Sequence, residues 1–282
     1  MSDILVDQKT SRLVFFAPAR VKRLGEGGET ARICPFCPEN DRMNREVLRI
    51  DDGQGGWKVR VIANKFPISD FHEVIVHSPD HDLDLPTISR EQMSLVLTVY
   101  RQRFNYHVAL KHGQVVIFYN HNVHAGASLE HSHSQLVVVP PRFRVTGLEK
   151  QPEVNVVFKT KHFSLYCPEF GQWPYELWAV PIVSGKTFGQ ISDEELSDLA
   201  GIIPKVSAVM VEKFLHHEEL HKHPGQDDVP FNYYVYHGQD WFLRFIPRLI
   251  HPGGFELATG MNVNMIKPER AAEEYRKELA RI

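Results

Sequence analysis

"ISREQMSLVL", beginning at Ile88, and "ISDEELSDLA", beginning at Ile191, stand 103 residues apart, and both open a helical pattern. "HEVIVHS" from His72 and "YELWAVP" from Tyr175 share that interval through Glu73 and Glu176. "FYN" ending at Asn120 is echoed by "PFN" ending at Asn232, at a slightly longer separation. Such self-similarity restricts a chain to architectures built from a repeated unit. Each unit reads strand, strand, long helix, strand, strand. The expected class is α+β: two duplicated halves, residues 1–150 and 151–282, each an antiparallel sheet with a helix packed on it.

In the first unit, "WKVRVIAN" (57–64) and "HEVIVHS" (72–78) alternate as strands do around the turn-forming "KFPISD". A helix starts after Ser89, whose hydroxyl suits an N-cap, with Glu91 in the first turn. "QVVIFYN" and "HSQLVVVP" are the next two strands, and "VNVVFKTKHFSLYCP" opens the second unit.

The strand at 131–135, "HSHSQ", is unlike its surroundings. Alternation sends His131, His133 and Gln135 to one face and Ser132 and Ser134 to the other. Polar side chains on an interior strand cost free energy unless they are partnered. The corresponding stretch of the second unit, "QDWFLRFIPRL", has no alternating histidines. Maintaining a fold asks the same of both copies, whereas chemistry need not. The motif therefore reads as a metal ligand beside a functional imidazole. A neutral imidazole is a good nucleophile toward phosphorus. Gln135 could hydrogen-bond a phosphoryl oxygen, and Ser128 with the turn at Gly126 could offer a hydroxyl and N–H groups to another phosphate.

"CPFCPEN" carries Cys34 and Cys37 in a C-x-x-C knuckle. Two thiolates at this spacing can bind zinc, can act as a redox pair, or can be ordinary thiols. The prolines after both cysteines suit a rigid turn. With three cysteines and no secretory signal, a disulfide framework is not expected. No apolar run reaches membrane-spanning length, so a soluble, cytoplasmic protein without membrane contact is expected. A net charge of −3 leaves no basic footprint for nucleic acid. "LGEGGET" at 24–30 lacks the P-loop lysine, which argues against a P-loop kinase or ATPase. Of the sixteen histidines, His216, His217, His221 and His223 read as a solvated helix face.

Taken in order, "CPFCPEN", "NKFP", "SPDH", "FYN…AGASLEHSHSQ", "WPYELWAVP", "PRLIHPGGFELATGMNVN" and "PERAAEEYR" resemble the galactose-1-phosphate uridylyltransferase family of the histidine-triad superfamily. The resemblance spans nearly the whole chain. It implies that His133 takes up a nucleoside monophosphate covalently. It also implies that His131, Cys34, Cys37 and His81 surround one structural zinc per chain. Asn64 and Phe66 match positions near the nucleotide, and Asn120, Ser128 and Gln135 match phosphate-contacting ones. Glu256 and Asn262 match the sugar-phosphate end, which in the family is often reached across a homodimer. The implied partners are a nucleotide sugar and a sugar-1-phosphate or phosphate, used in turn by a ping-pong mechanism. Three departures matter. Ser132 stands at the middle of the family's H-P-H. Phe242-Leu243-Arg244 replaces a second H-x-H, so no second metal is expected. Asn262 stands where galactose-specific members have glutamine. "GFELATG" is closer to the ADP-glucose phosphorylase branch. The same residues also suit a dinucleoside polyphosphate phosphorylase or hydrolase, or an inactive nucleotide-binding zinc scaffold.

Overall fold

The computed structural model describes residues 3–7, 9, 13–21, 33–141, 148, 150, 153–215 and 228–281. The glycine-rich stretch 24–30 and the histidines at 216–223 fall outside these residues. A short hairpin, β1 (Asp3–Val6) with β2 (Leu13–Phe16), precedes the main body. The first unit contributes β3 (Glu46–Asp51), β4 (Trp57–Ala63), β5 (His72–Val76), α1 (Arg90–Ala109), β6 (Gln114–His121) and β7 (His133–Val139). The second contributes β8 (Val156–Lys159), β9 (Phe163–Tyr166), β10 (Leu177–Pro181), α2 (Asp193–Leu215), β11 (Phe231–Val235) and β12 (Leu243–Pro247). Two further helices, α3 (Gly254–Thr259) and α4 (Pro268–Leu279), end the chain.

The ten main strands form one antiparallel sheet, in the order β3-β4-β5-β7-β6-β11-β12-β10-β9-β8. Read inward from either edge, this order is the same, which is the duplication written as topology. It corrects the expectation of two separate sheets: β6 pairs with β11, so both units share one sheet. Asn120 stands directly opposite Asn232 at that seam, as a two-fold through the pair requires. Each unit also has a third strand ahead of its helix; the edge strand β3 is too polar to have stood out in the sequence.

The 103-residue interval holds for the helices, since α1 begins at Arg90 and α2 at Asp193. It fails for Glu73 and Glu176. Glu73 accepts from Arg103 of α1, on the helix side. Glu176 accepts from Arg244 and from the Trp178 indole, on the opposite side. An odd shift of register moves a side chain across the sheet, so these two glutamates are not counterparts.

Ser89 caps α1 by accepting from the Gln92 N–H, as its position suggested. Met93, Val96, Leu97, Tyr100 and Phe104 then recur at helical spacing and bury against Val59, Val61, Ile75 and Ile117 of the sheet. α2 and α4 join the same core. All three helices lie on one side. The other side, the open face, carries the even-numbered residues of β5, Val74 and Val76, beneath the C-x-x-C knuckle.

Candidate active site on the open face

The knuckle is shaped by its own short-range bonds. Cys37 N–H donates to the Cys34 carbonyl, Asn40 N–H to the Cys37 carbonyl, and the Asn40 amide back to the Cys34 carbonyl at 2.9 Å. A short 3-10 helix, Pro38–Met43, follows. Arg60 from β4 is fully buried beneath it, with Nη1 on Asp41 Oδ1 at 2.5 Å and Nε on Glu46 Oε2 at 2.8 Å. These bonds present both sulfurs to two imidazoles from distant segments. His131 Nδ1 lies 3.6 Å from each sulfur, and His81 Nδ1 lies 3.3 Å from Cys37 Sγ. All four ligand atoms fall within 4.8 Å of one another.

Tetrahedral zinc with its usual bond lengths sets sulfur–nitrogen edges of roughly 3.5 Å, so the donors fit such an ion. His131 Nε2 lies 2.8 Å from the Ser78 carbonyl, which can only accept; the proton therefore sits on Nε2 and the Nδ1 lone pair faces the sulfurs. Burial, and then the neighbouring Cys34, push the Cys37 thiol up to about 11. The cluster thus gathers four donors and no positive charge, the condition a metal cation relieves.

Two residues further along the same face, His133 Nδ1 donates to the His131 carbonyl at 2.8 Å. This bond places a proton on Nδ1, so that in a neutral ring the lone pair is on Nε2. Phe36 of the knuckle packs edge-on against the His133 ring, with centroids 5.0 Å apart. Ser132 and Ser134 point the other way, as alternation predicted. They hydrogen-bond His77, which burial pushes down to about 3. Tyr100 and Tyr233 complete that network under the strand.

Two clefts meet at His133, Ser128 and Leu129. The smaller, about 310 Å³, is lined by Phe36, Ile62, Asn64, Phe66, Val74 and Gln135. It is mostly apolar with a few amides, the composition of a small-molecule site. The larger, about 750 Å³, is the more polar of the two, with Asn120, His121, Asn122, His131, Asp84 and Asp228 in its lining. Its loop turns at Gly126, where φ is +94°, and is held by the Asn120 amide on the Gly126 carbonyl. Glu256 and Asn262 line neither cleft. Glu256 caps its own helix, accepting from Gly253 N–H at 2.9 Å, and Asn262 is exposed.

Two groups at this site were not singled out from the sequence. His72 accepts the Ile68 N–H on Nδ1 at 2.9 Å, so its proton sits on Nε2, which faces Gln135 Oε1 at 3.0 Å. Gln135 is thereby oriented with its carbonyl toward His72, and its NH₂ end is left to donate. The start of "HEVIVHS" shares a face with Gln135 through Val74, a parity clue that the motif at 131–135 overshadowed. The second group is His121, between Asp84 and Asp228. Nδ1 lies 2.9 Å from Asp84 Oδ2, and Nε2 lies 2.6 Å from Asp228 Oδ2, the latter off the line of a hydrogen bond. Burial opposes charge on His121, but Asp228 and Asp84 outweigh it and raise the imidazole to about 9.

That shift has a consequence for stability. Unfolded, His121 releases its proton near 6.5; folded, it keeps it to about 9. Its stabilisation is complete below about pH 6.5 and vanishes as pH rises through 9. Thermal melts should decline across that window, and His121→Asn should flatten the decline. Equal slopes in both proteins would contradict the clamp.

Among known proteins, the model of a domain of unknown function, the DUF4931 N-terminal domain, matches residues 21–140. A protein named ADP-glucose phosphorylase from Arabidopsis thaliana is 28% identical over 96% of this chain and 91% of its own length. A galactose-1-phosphate uridylyltransferase from Thermotoga maritima is 23% identical, covering 98% of both chains. The crystal structure of the Arabidopsis phosphorylase with bound ADP-glucose superposes with a TM-score of 0.73 at 24% identity over 98% of this chain and 99% of that one. A uridylyltransferase structure superposes at 0.76 with 20% identity, covering 100% and 99%. Both structures share this fold.

Proposed function

We propose that this chain, which is similar to an ADP-glucose phosphorylase and to galactose-1-phosphate uridylyltransferases, is a nucleotidyltransferase that moves a nucleoside monophosphate between a nucleotide sugar and a phosphate acceptor through a covalent nucleotidyl-histidine. The observation that carries this is the fixed tautomer of His133, whose Nδ1 proton is held by the His131 carbonyl while the ring sits where the two clefts meet. The base and ribose occupy the smaller cleft, beside Asn64 and Phe66. Nε2 attacks the α-phosphorus, the P–N bond forms, and the P–O bond to the sugar-1-phosphate breaks. The released phosphate leaves through the larger cleft, past Asn120 and Ser128. An acceptor phosphate enters the same cleft and attacks the phosphoramidate, restoring Nε2 and forming the new diphosphate.

Gln135 donates to the α-phosphoryl oxygens as charge builds, oriented by His72. Zinc bound by Cys34, Cys37, His81 and His131 would tie the knuckle to β7 and so keep Phe36 packed on His133. Phe255, Leu257, Met261, Val263 and Met265 are exposed around Glu256. This apolar patch supports a homodimer in which Glu256 and Asn262 meet the sugar phosphate in a second copy's cleft. Sedimentation as a monomer would remove both residues from the site. Free thiols at Cys34, Cys37 and Cys167 suit the reducing cytoplasm, and among the described residues no helix is long and apolar enough to cross a membrane.

Steady-state kinetics test the two-step scheme. Parallel double-reciprocal lines are expected when donor and acceptor are varied together, with ADP-glucose and UDP-glucose compared as donors and glucose-1-phosphate and inorganic phosphate as acceptors. Intersecting lines would mean direct transfer between substrates. In the same assay His72→Leu should lower kcat by about 10²-fold with little change in KM, because Gln135 loses its orientation rather than its place. His72→Gln, which can still donate to Gln135, should recover part of that rate.

A further inference from the structure

Arg248 follows β12 directly and continues the alternation that places Arg244 and Ile246 on the open face. Its guanidinium lies 4.9 Å from the centre of the Trp173 ring, and Nη1 donates to Asn232 Oδ1 at 3.3 Å. Its Nε is buried without a hydrogen-bond partner. Among the described residues no carboxylate pairs with it, whereas the buried Arg60, Arg103 and Arg244 each hold one. Burial without a counter-charge lowers its pKa. Arg248 is half-buried, and its Nε has lost water without gaining a hydrogen bond. Its planar fork of donors suits a phosphate brought by a ligand.

Its position relates it to the site. Asn232 stands opposite both Ile246 of β12 and Asn120 of β6. The Asn232 amide donates to Asn120 Oδ1 at 2.8 Å and to the Ala125 carbonyl at 2.9 Å, and Asn120 lines the larger cleft. One step beyond the Tyr119–Ser134 pair, the β6–β7 register sets Asn120 beside His133. Three strand spacings, roughly 14 Å, therefore separate the β7 and β12 backbones here. Arg248 itself lines neither cleft; Asn232 and Asn120 link it to the larger one, and the three-strand width leaves room for a pyrophosphate.

We propose that Arg248, seated on Trp173 and steered by Asn232, is an anion subsite that receives the phosphate of the incoming acceptor, a phosphate monoester or inorganic phosphate, while His133 carries the nucleotidyl group. This rests on the nucleotidyl-transfer reading. It deepens it by making the acceptor an anion, so that transfer to phosphate outruns hydrolysis.

The test begins with inorganic phosphate alone, titrated into the full chain as purified and followed by calorimetry and tryptophan fluorescence. Wild type should saturate. Arg248→Met, which keeps a stem over Trp173, should bind about tenfold more weakly or worse, and Arg248→Lys should fall between them. In a second measurement, label placed on His133 from an α-labelled nucleotide sugar should be discharged by phosphate at least about tenfold more slowly in Arg248→Met. If wild type takes up no label while phosphate binding still depends on Arg248, the transfer reading falls and the anion subsite stands. If label forms but Arg248→Met binds phosphate and discharges label as wild type does, the subsite is overturned. Loss of a dimer in Arg248→Met with unchanged phosphate affinity would assign the guanidinium to a second copy's carboxylate and also overturn it. Should Arg248→Met not fold, Arg248→Lys carries the same tests, and wild-type phosphate affinity in that variant with wild-type discharge would count against the subsite.

Discussion

Stripping metal with a chelator should lower the melting temperature by about 10 °C or more and abolish activity together with it. Elemental analysis of the purified protein should find about one zinc per chain, the content of a single four-ligand site. The size of the effect follows from where the donors come from. Cys34 and Cys37 belong to the knuckle, His81 to the loop after β5, and His131 to the approach to β7. A metal at their centre ties the knuckle to the two segments that carry His81 and His131, which are already joined to each other by the His131–Ser78 hydrogen bond. Without it, two thiols and two imidazoles stand together with no cation among them, and Phe36 loses its fixed place against His133. Cys37→Ser should reproduce the loss in both melting temperature and metal content. The short-range bonds of the knuckle, with Arg60 on Asp41 and Glu46, should preserve the fold of β3 and β4, so far-ultraviolet circular dichroism should change little. A metal-free protein that melts at the wild-type temperature would refute a structural role for the cluster.

His133→Asn should lower the rate of nucleotidyl transfer by about 10⁴-fold or more while leaving metal content and melting temperature near wild type. Asparagine fills much of the same space and can still donate to the His131 carbonyl, but it offers no nitrogen lone pair to phosphorus. The effect is larger than that expected at His72, because His72 acts only through Gln135. Parallel assays of both variants separate the two roles: a His72 variant that fell as far as His133→Asn would mean that His72 takes part in the chemistry directly.

The shared face of His133 and Gln135 was legible because a strand alternates with a period of two; His131 lies two residues ahead of His133, just before β7 begins, and keeps that alternation. The helix starts and the N-cap at Ser89 were legible for the same local reason. The joining of the two units into one sheet was not, since the β6–β11 pairing involves residues more than a hundred positions apart and only the Asn120–Asn232 echo hinted at it. The shared interval of Glu73 and Glu176 misled because strand register can shift by an odd number while sequence spacing stays constant. The gathering of Cys34, Cys37, His81 and His131 was readable only through resemblance; C-x-x-C by itself left three chemistries open. His72, His121 and Arg248 escaped notice because each is defined by its partners: the Ile68 N–H and Gln135, two aspartates far apart in the chain, and an aromatic ring with no paired carboxylate among the described residues.

The most direct measurement of the central claim is trapping of the intermediate. ADP-glucose and UDP-glucose labelled at the α-phosphate are each mixed with the protein without acceptor, quenched in alkali, and the labelled peptide is identified. The expected result is acid-labile label on the peptide containing His133, absent in His133→Asn, and discharged from wild type by a sugar-1-phosphate or phosphate. Label on another residue, or equal label on wild type and His133→Asn, would contradict the account.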